Sequence, residues 1–275
     1  MLSLWILATL LSGGAGTSPP TAQAIMARVA ANQDRTNRLR TDYIYHQRMH
    51  VTARKTNGKL MCEETLDYLM IPSSRGTKKE LRELEGRYWH KGRYTDFHHK
   101  LHENEGSIDC DVVDSLGEDF TDERSKDGIA RDLFPLTSEQ QRSDRFALIS
   151  EEVLQGRRVY RVSFRPKDEK EFDWAGEADI DANDFQPVDV YTKPSHPIPF
   201  LIRTFLLALP GVGFNLQYQR QPDGVWFPAS FGTEFRVRFL MFYRREYTIS
   251  LENTGFRHTH VTSKMRYAGR AGAPK

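Results

Sequence analysis

From Arg145 to Leu251 the chain is dominated by a period of two, and this confines it to a sheet-based fold. Trp174, Gly176, Ala178 and Ile180 alternate with Ala175, Glu177, Asp179 and Asp181, which puts an apolar row on one face and a largely acidic row on the other. Such a row is buried on one side only in extended chain. A turn at Ala182-Asn183-Asp184 then returns the chain as Val188–Lys193, with the same alternation.

The pattern recurs on both sides of this hairpin. Phe146–Val153 and Val159–Arg165 flank Leu154-Gln155-Gly156-Arg157, with Tyr160, Val162 and Phe164 on one face. Phe214, Leu216 and Tyr218 lead to a turn at Pro222-Asp223-Gly224. Beyond it, Phe231, Thr233, Phe235, Val237, Phe239, Met241 and Tyr243 share one parity, and Tyr247, Ile249 and Leu251 continue it. The expected product is a mainly β, α+β chain of roughly ten strands, forming one large curved antiparallel sheet or half-open β-barrel.

The first half adds a helix and a long hairpin. Ala22–Leu39 is alanine-rich, with Ile25, Val29 and Asn32 at helical spacing and arginines gathered toward its C-terminal end. Tyr43, Tyr45, Met49 and Val51 then alternate with polar residues up to Asn57-Gly58, a strong hairpin signal, and Leu60, Cys62, Leu66, Tyr68 and Met70 alternate on the return. Between Pro72 and Gln141 no period holds. Thr77–Leu84 reads as strand or helix, Phe97–Glu103 as helix, and Val112–Phe134 as loops with one or two short helices.

Leu2–Leu11 is uncharged and apolar, and small residues follow it, so residues 1–16 read as an export signal cleaved between Ala15 and Ala24. The expected organisation is then a single domain over residues 20–268, with a charged insert at about 92–136 and a flexible tail at 269–275. Periplasmic localisation follows from export. In that oxidising setting Cys62 and Cys110 either pair, which the chain-entropy model values at about 4 kcal/mol, or remain separate thiols. With 39 Lys+Arg against 37 Asp+Glu, the overall charge gives no field that would draw nucleic acid.

Phe200–Leu209 is the most apolar stretch outside the signal. It is too short to span a bilayer, is bounded by Pro199 and Pro210-Gly211, and is interrupted by Arg203. It reads as a core helix, as a helical lid over the open side of the sheet, or as an element touching a membrane surface transiently, with Arg203 at the headgroups. A sheet whose inner face is aromatic, closed by such a lid, suits a ligand with an acyl chain. The cavity candidates are Trp174, Phe200, Arg203, Phe205, Phe235, Phe239 and Met241.

Several pieces, in this order along the chain, resemble the LolA/LolB-like superfamily of envelope lipoprotein carriers and outer-membrane lipoprotein-sorting-like proteins, to which the RseB/MucB sensor is related. They are the apolar N-terminus, the Ala22–Leu39 helix, Tyr43-Ile44-Tyr45 leading to Asn57-Gly58, Leu154–Tyr160, Gly176–Asp181 with Phe185-Gln186-Pro187-Val188, and Val225-Trp226-Phe227-Pro228. The resemblance implies an unclosed antiparallel barrel around a helical lid, with an apolar cavity for lipid. It also implies a non-enzymatic carrier or sensor whose partners are a lipid or lipoprotein acyl chain and an envelope protein. No site residue is carried over, because no single arginine here matches the one that latches the family's lid.

Motifs for chemistry are sparse. The chain has no GxSxG, P-loop or GxGxxG, and neither catalytic residues nor a cofactor is expected. His90, His98, His99 and His102 form the densest group of metal-ligand types. On a helix, His98 and His102 would share a face, with Glu103 or Asp109 as a third ligand, which gives a metal-dependent envelope hydrolase as the alternative reading. A second alternative is a protein-interaction module that uses a sheet edge.

Overall fold

The computed structural model describes residues 20–101, 107–120, 134–168, 173–195, 213–239 and 243–259. Helix α1 (Ala22–Leu39) and one turn of 3-10 helix (Arg40–Asp42) are followed by β1 (Tyr43–Arg54), β2 (Leu60–Ser73), β3 (Gly76–His90), β4 (Arg93–Phe97) and helix α2 (Ile108–Phe120). A second short 3-10 turn, Gln140–Ser143, leads into β5 (Asp144–Leu154) and β6 (Arg157–Pro166). The remaining strands are β7 (Trp174–Asp181), β8 (Pro187–Pro194), β9 (Phe214–Arg220), β10 (Trp226–Phe239) and β11 (Tyr243–His258).

The eleven strands among the described residues belong to one antiparallel sheet in the order β4-β3-β2-β1-β11-β10-β9-β8-β7-β6-β5. Two meanders, β1–β4 and β5–β11, are therefore joined by the long-range pairing of β1 with β11, in which Met49 faces Leu251 and Val51 faces Ile249. The sheet is curved and unclosed, with β4 and β5 at its edges.

Helix α1 occupies the concave side. Thr21 caps it by accepting from the Ala24 N–H, and Ile25, Met26 and Val29 are fully buried in a core that also holds Val51, Leu66, Val162, Ile180, Leu216 and Ile249. Strands from both meanders thus close on the same helix face. Its C-terminal half is tied down by polar contacts: Gln33 donates to Gln186 at 2.6 Å, and Gln186 in turn donates to Thr36 at 3.1 Å. Arg40 is buried, donates to the Trp226 carbonyl at 2.7 Å, and lies over the Tyr218 and Phe227 rings.

One local reading is corrected by the fold, and two are made definite. The stretch expected to be helical from Phe97 instead ends a strand: Arg93–Phe97 pairs with β3, Trp89 facing Tyr94, and the chain bends at His98-His99. Phe97 turns inward over Gly86, where any Cβ would collide with its ring, so a glycine is what allows the aromatic residue to cover the sheet. The charged stretch Val112–Phe134, read as loops with one or two short helices, holds most of the three-turn helix α2, which starts four residues before Val112. Thr77–Leu84, open between strand and helix, is strand.

Candidate ligand-binding site on the concave face

Inward parity on β7, β9 and β10 assembles an aromatic row. Trp174 meets Phe214 edge-on at 5.1 Å between ring centroids, and Phe214 stacks on Phe231 at 5.7 Å with 16° between planes. Register fixes this arrangement: Phe214 lies between Thr192 of β8 and Thr233 of β10, both buried. Their hydroxyls are satisfied locally, Thr233 donating to the Gly213 carbonyl at 2.8 Å and Thr192 to that of Ala175 at 3.4 Å. The surface beside the row is therefore apolar even where threonine builds it. Gly176, on the inward parity of β7, leaves the Phe164 ring room to lie against the sheet.

Phe146 and Leu148 on β5 and Trp174 on β7 are only half buried, the pattern of an inner face that remains partly open. Trp174 also lines a cavity of about 160 Å³ together with Phe134, Pro135, Gln140, Ser143, Asp144 and Asp173. Its lining combines three apolar side chains with two carboxyls. Burial, reinforced by the Asp173 charge, pushes the Asp144 carboxyl up to about 6, against the Ser143 hydroxyl and Lys167.

Of the residues expected to line a cavity, Trp174 is in the row. Phe235 and Phe239 occupy β10 positions of the same parity as Phe231, facing Tyr247 and Tyr243 in register. Phe200, Arg203, Phe205 and Met241, with the expected helical lid, lie outside the described residues. Alternation in the sequence puts Phe214 and Phe231 on the apolar faces of their strands, but only the strand order brings them beside Trp174 on the concave face.

Helix α2 covers the concave face over β1 and β2 and is fastened at its first turn. Cys110 is joined to Cys62 of β2 by a disulfide, with Cα atoms 5.4 Å apart. The neighbouring Asp109, buried, takes two hydrogen bonds from Arg245 at 2.6 and 3.1 Å and one from the Tyr243 hydroxyl at 2.7 Å. Burial together with the Tyr247 and Asp109 contacts drives the Tyr243 phenol far above its ordinary range. Beneath the helix, Glu64 is also buried and faces a small cavity with Asp111, Asp114, Phe97 and Leu101. Its carboxyl is pushed up to about 7 by burial, then by Asp114 and Glu118, with Lys100 opposing.

The histidine group does not assemble as a helical pair. His98 lies in the bend after β4, His102 is outside the described residues, and Asp109 is engaged by Arg245. His98 instead lines an open cavity of about 320 Å³ on the outer face with His50, Glu63, Thr65, Glu85, Arg87 and Asp96. There His50 bonds Thr65 at 2.9 Å and Arg87 bonds Glu63 at 2.5 Å. Among the described residues no three His, Cys, Asp or Glu side chains are placed to hold a metal ion. The carboxylates Asp179 and Asp181 are structural: Arg161 holds the first bidentately at 2.9 and 3.0 Å, and Arg157 and two turn N–H groups hold the second.

No family model matches the chain, and no curated protein does. Among solved structures it is similar to an outer-membrane lipoprotein-sorting protein domain from Vibrio parahaemolyticus, at 11% identity over 86% of this chain and 94% of the other, with a TM-score of 0.37. A LolA superfamily protein from Nitrosomonas europaea matches at 9% identity over 88% and 96%, with a TM-score of 0.37. A DUF1329 family protein from Desulfovibrio piger matches at 10% identity over 87% and 94%, with a TM-score of 0.39.

Proposed function

We propose that this protein is an exported, non-enzymatic carrier or sensor that takes the acyl chain of a lipid or lipoprotein against the concave face of its sheet. The observation that carries the reading is the aromatic row Trp174–Phe214–Phe231, which ends in a half-buried tryptophan beside a cavity on the inner side of an unclosed sheet. An acyl chain laid there gains about 25 cal/mol for each Å² of apolar surface removed from water, and the satisfied threonine hydroxyls impose no desolvation cost. The Cys62–Cys110 bond suits the oxidising periplasm to which Leu2–Leu11 would direct the chain.

The test is native mass spectrometry of protein purified from its own cell envelope, followed by organic extraction and lipid analysis. A co-purifying acyl lipid is the expected result. In titrations with a fluorescent long-chain fatty acid, Trp174→Ala should weaken binding about ten-fold, the order expected for losing one large apolar contact, with circular dichroism unchanged. Protein that is lipid-free and takes up no fatty acid would remove the reading. A protein-binding module then stands next, on the outer edge of β5, where Ile149 and Val153 are exposed.

A further inference from the structure

At one end of the sheet the turns of two neighbouring hairpins lie side by side. Cys62 pairs with Tyr88, so the β1–β2 turn, Lys55–Lys59, adjoins the β3–β4 turn, Lys91-Gly92. The Lys59 ammonium sits 3.3 Å from the centroid of the Trp89 ring, Trp89 meets Tyr94 edge-on at 5.1 Å, and the Tyr94 hydroxyl donates to the Leu60 carbonyl at 3.3 Å. The two turns thus form one surface in which amphipathic aromatic rings are interleaved with cations.

Its charge has one sign. Lys55, Lys59, Lys91 and Arg93 form no ion pair among the described residues, whereas Arg87, a step further from the tip, is held by Glu63. Lys91 and Gly92 both have positive φ, 45° and 88°, the geometry of a two-residue hairpin turn whose first position ordinarily holds Asn, Asp or Gly. A lysine there is a conformationally poor choice, and it puts an ammonium at the outermost point of the hairpin. Tyrosine and tryptophan with a polar edge, flanked by unpaired cations, are the residue types that settle at the level of lipid headgroups.

We propose that this double-hairpin tip docks the protein on an anionic phospholipid surface. Lys55, Lys59, Lys91 and Arg93 would meet the phosphates, and Trp89 and Tyr94 the interfacial layer. The contact lies at the end of the sheet opposite the β7–β8 turn that α1 holds through Asn32, so it leaves that helix undisturbed. Its biological purpose, delivery or collection of an acyl ligand at a membrane, rests on the function proposed above; the docking itself does not.

The experiment is co-sedimentation of the whole protein with vesicles of phosphatidylglycerol mixed with phosphatidylcholine, against vesicles of phosphatidylcholine alone. Binding should require the anionic lipid and fall as salt is raised. The triple variant Lys55→Ser, Lys91→Asn, Arg93→Thr should lose affinity by about five-fold per charge, on the order of a hundred-fold in all. Because Asn suits the turn position, this variant should fold at least as well as the parent. Equal binding to neutral vesicles, unchanged binding by the variant, or capture of soluble polyphosphate without binding to vesicles would each overturn the proposal. Fatty-acid uptake by the same proteins separates the two readings: uptake retained by the triple variant leaves the cavity intact, and vesicle binding without any uptake leaves the docking surface standing alone.

Discussion

Glu64 shows how far parity reaches at the scale of single residues. The alternation through Leu60, Cys62, Leu66, Tyr68 and Met70 gives β2 an inward face, and Glu64 stands on it among apolar neighbours. Parity implied a buried carboxyl, but not that Asp114 and Glu118 of α2 would lie above it. Its folded-state pKa of about 7 exceeds the ordinary 4.5, so between these values the folded state holds a proton that the unfolded chain has released. The contribution of this group to stability therefore falls as pH rises from about 4.5 to about 7, by at most about 3 kcal/mol, and stays low above that. Asp144, raised to about 6, adds a slope of the same sign. Glu64→Gln should accordingly stabilise the protein at pH 8 and have little effect at pH 4.5, which urea unfolding across this range would reveal. Arg40, the residue just beyond α1, carries no signal of its own in the alternation on either side of it, yet it is buried against the Tyr218 and Phe227 rings and bonded to the Trp226 carbonyl. Arg40→Ala would strand that carbonyl and open a cavity, and should cost about 2–4 kcal/mol in urea unfolding; a loss below 1 kcal/mol would show the network to be dispensable.

At the scale of elements, the strands outside Pro72–Gln141 were legible because each carries its own alternating face, whereas β3 and β4 were not, and α2 was legible only as one of the short helices expected within Val112–Phe134. Its sequence is rich in Asp, and its first turn is set by partners distant in the chain, Cys62 and Arg245, that no local period announces. The same reason undid the helical reading of Phe97–Glu103: the spacing of His98 and His102 suits a helix, but Arg93–Phe97 is drawn into the sheet by its ladder with β3 and by the place that Gly86 leaves for Phe97. Because α2 is fastened by one covalent and one ionic contact at the same turn, the two losses should not be equivalent. Cys110→Ser should cost about 2–4 kcal/mol while Asp109 still holds the helix in register. Hydrogen exchange would then show faster amide exchange in residues 108–120 than in β1 and β2. Exchange accelerated equally across β1, β2 and α2 would instead mean that the disulfide stabilises the whole first meander.

At the scale of the whole molecule, a curved antiparallel sheet around one helix followed from hairpin after hairpin in the sequence. The pairing of β1 with β11 did not, because nothing local marks two strands so far apart in the chain as neighbours. That junction turns two meanders into one sheet, and α1 completes the union by packing Ile25, Met26 and Val29 against residues of both. A chain with one shared core should unfold in a single cooperative transition. If an acyl chain binds the concave face of that core, its free energy adds to the same transition. A long-chain fatty acid at about a hundred times its Kd should contribute about 2.7 kcal/mol, raising Tm by roughly 5–10 °C for a chain of this size. Calorimetry with and without the fatty acid reads both quantities. A two-step melt would show that the meanders are independent folding units despite β1–β11, and a Tm indifferent to fatty acid would mean that the aromatic row is core packing rather than a place for a ligand.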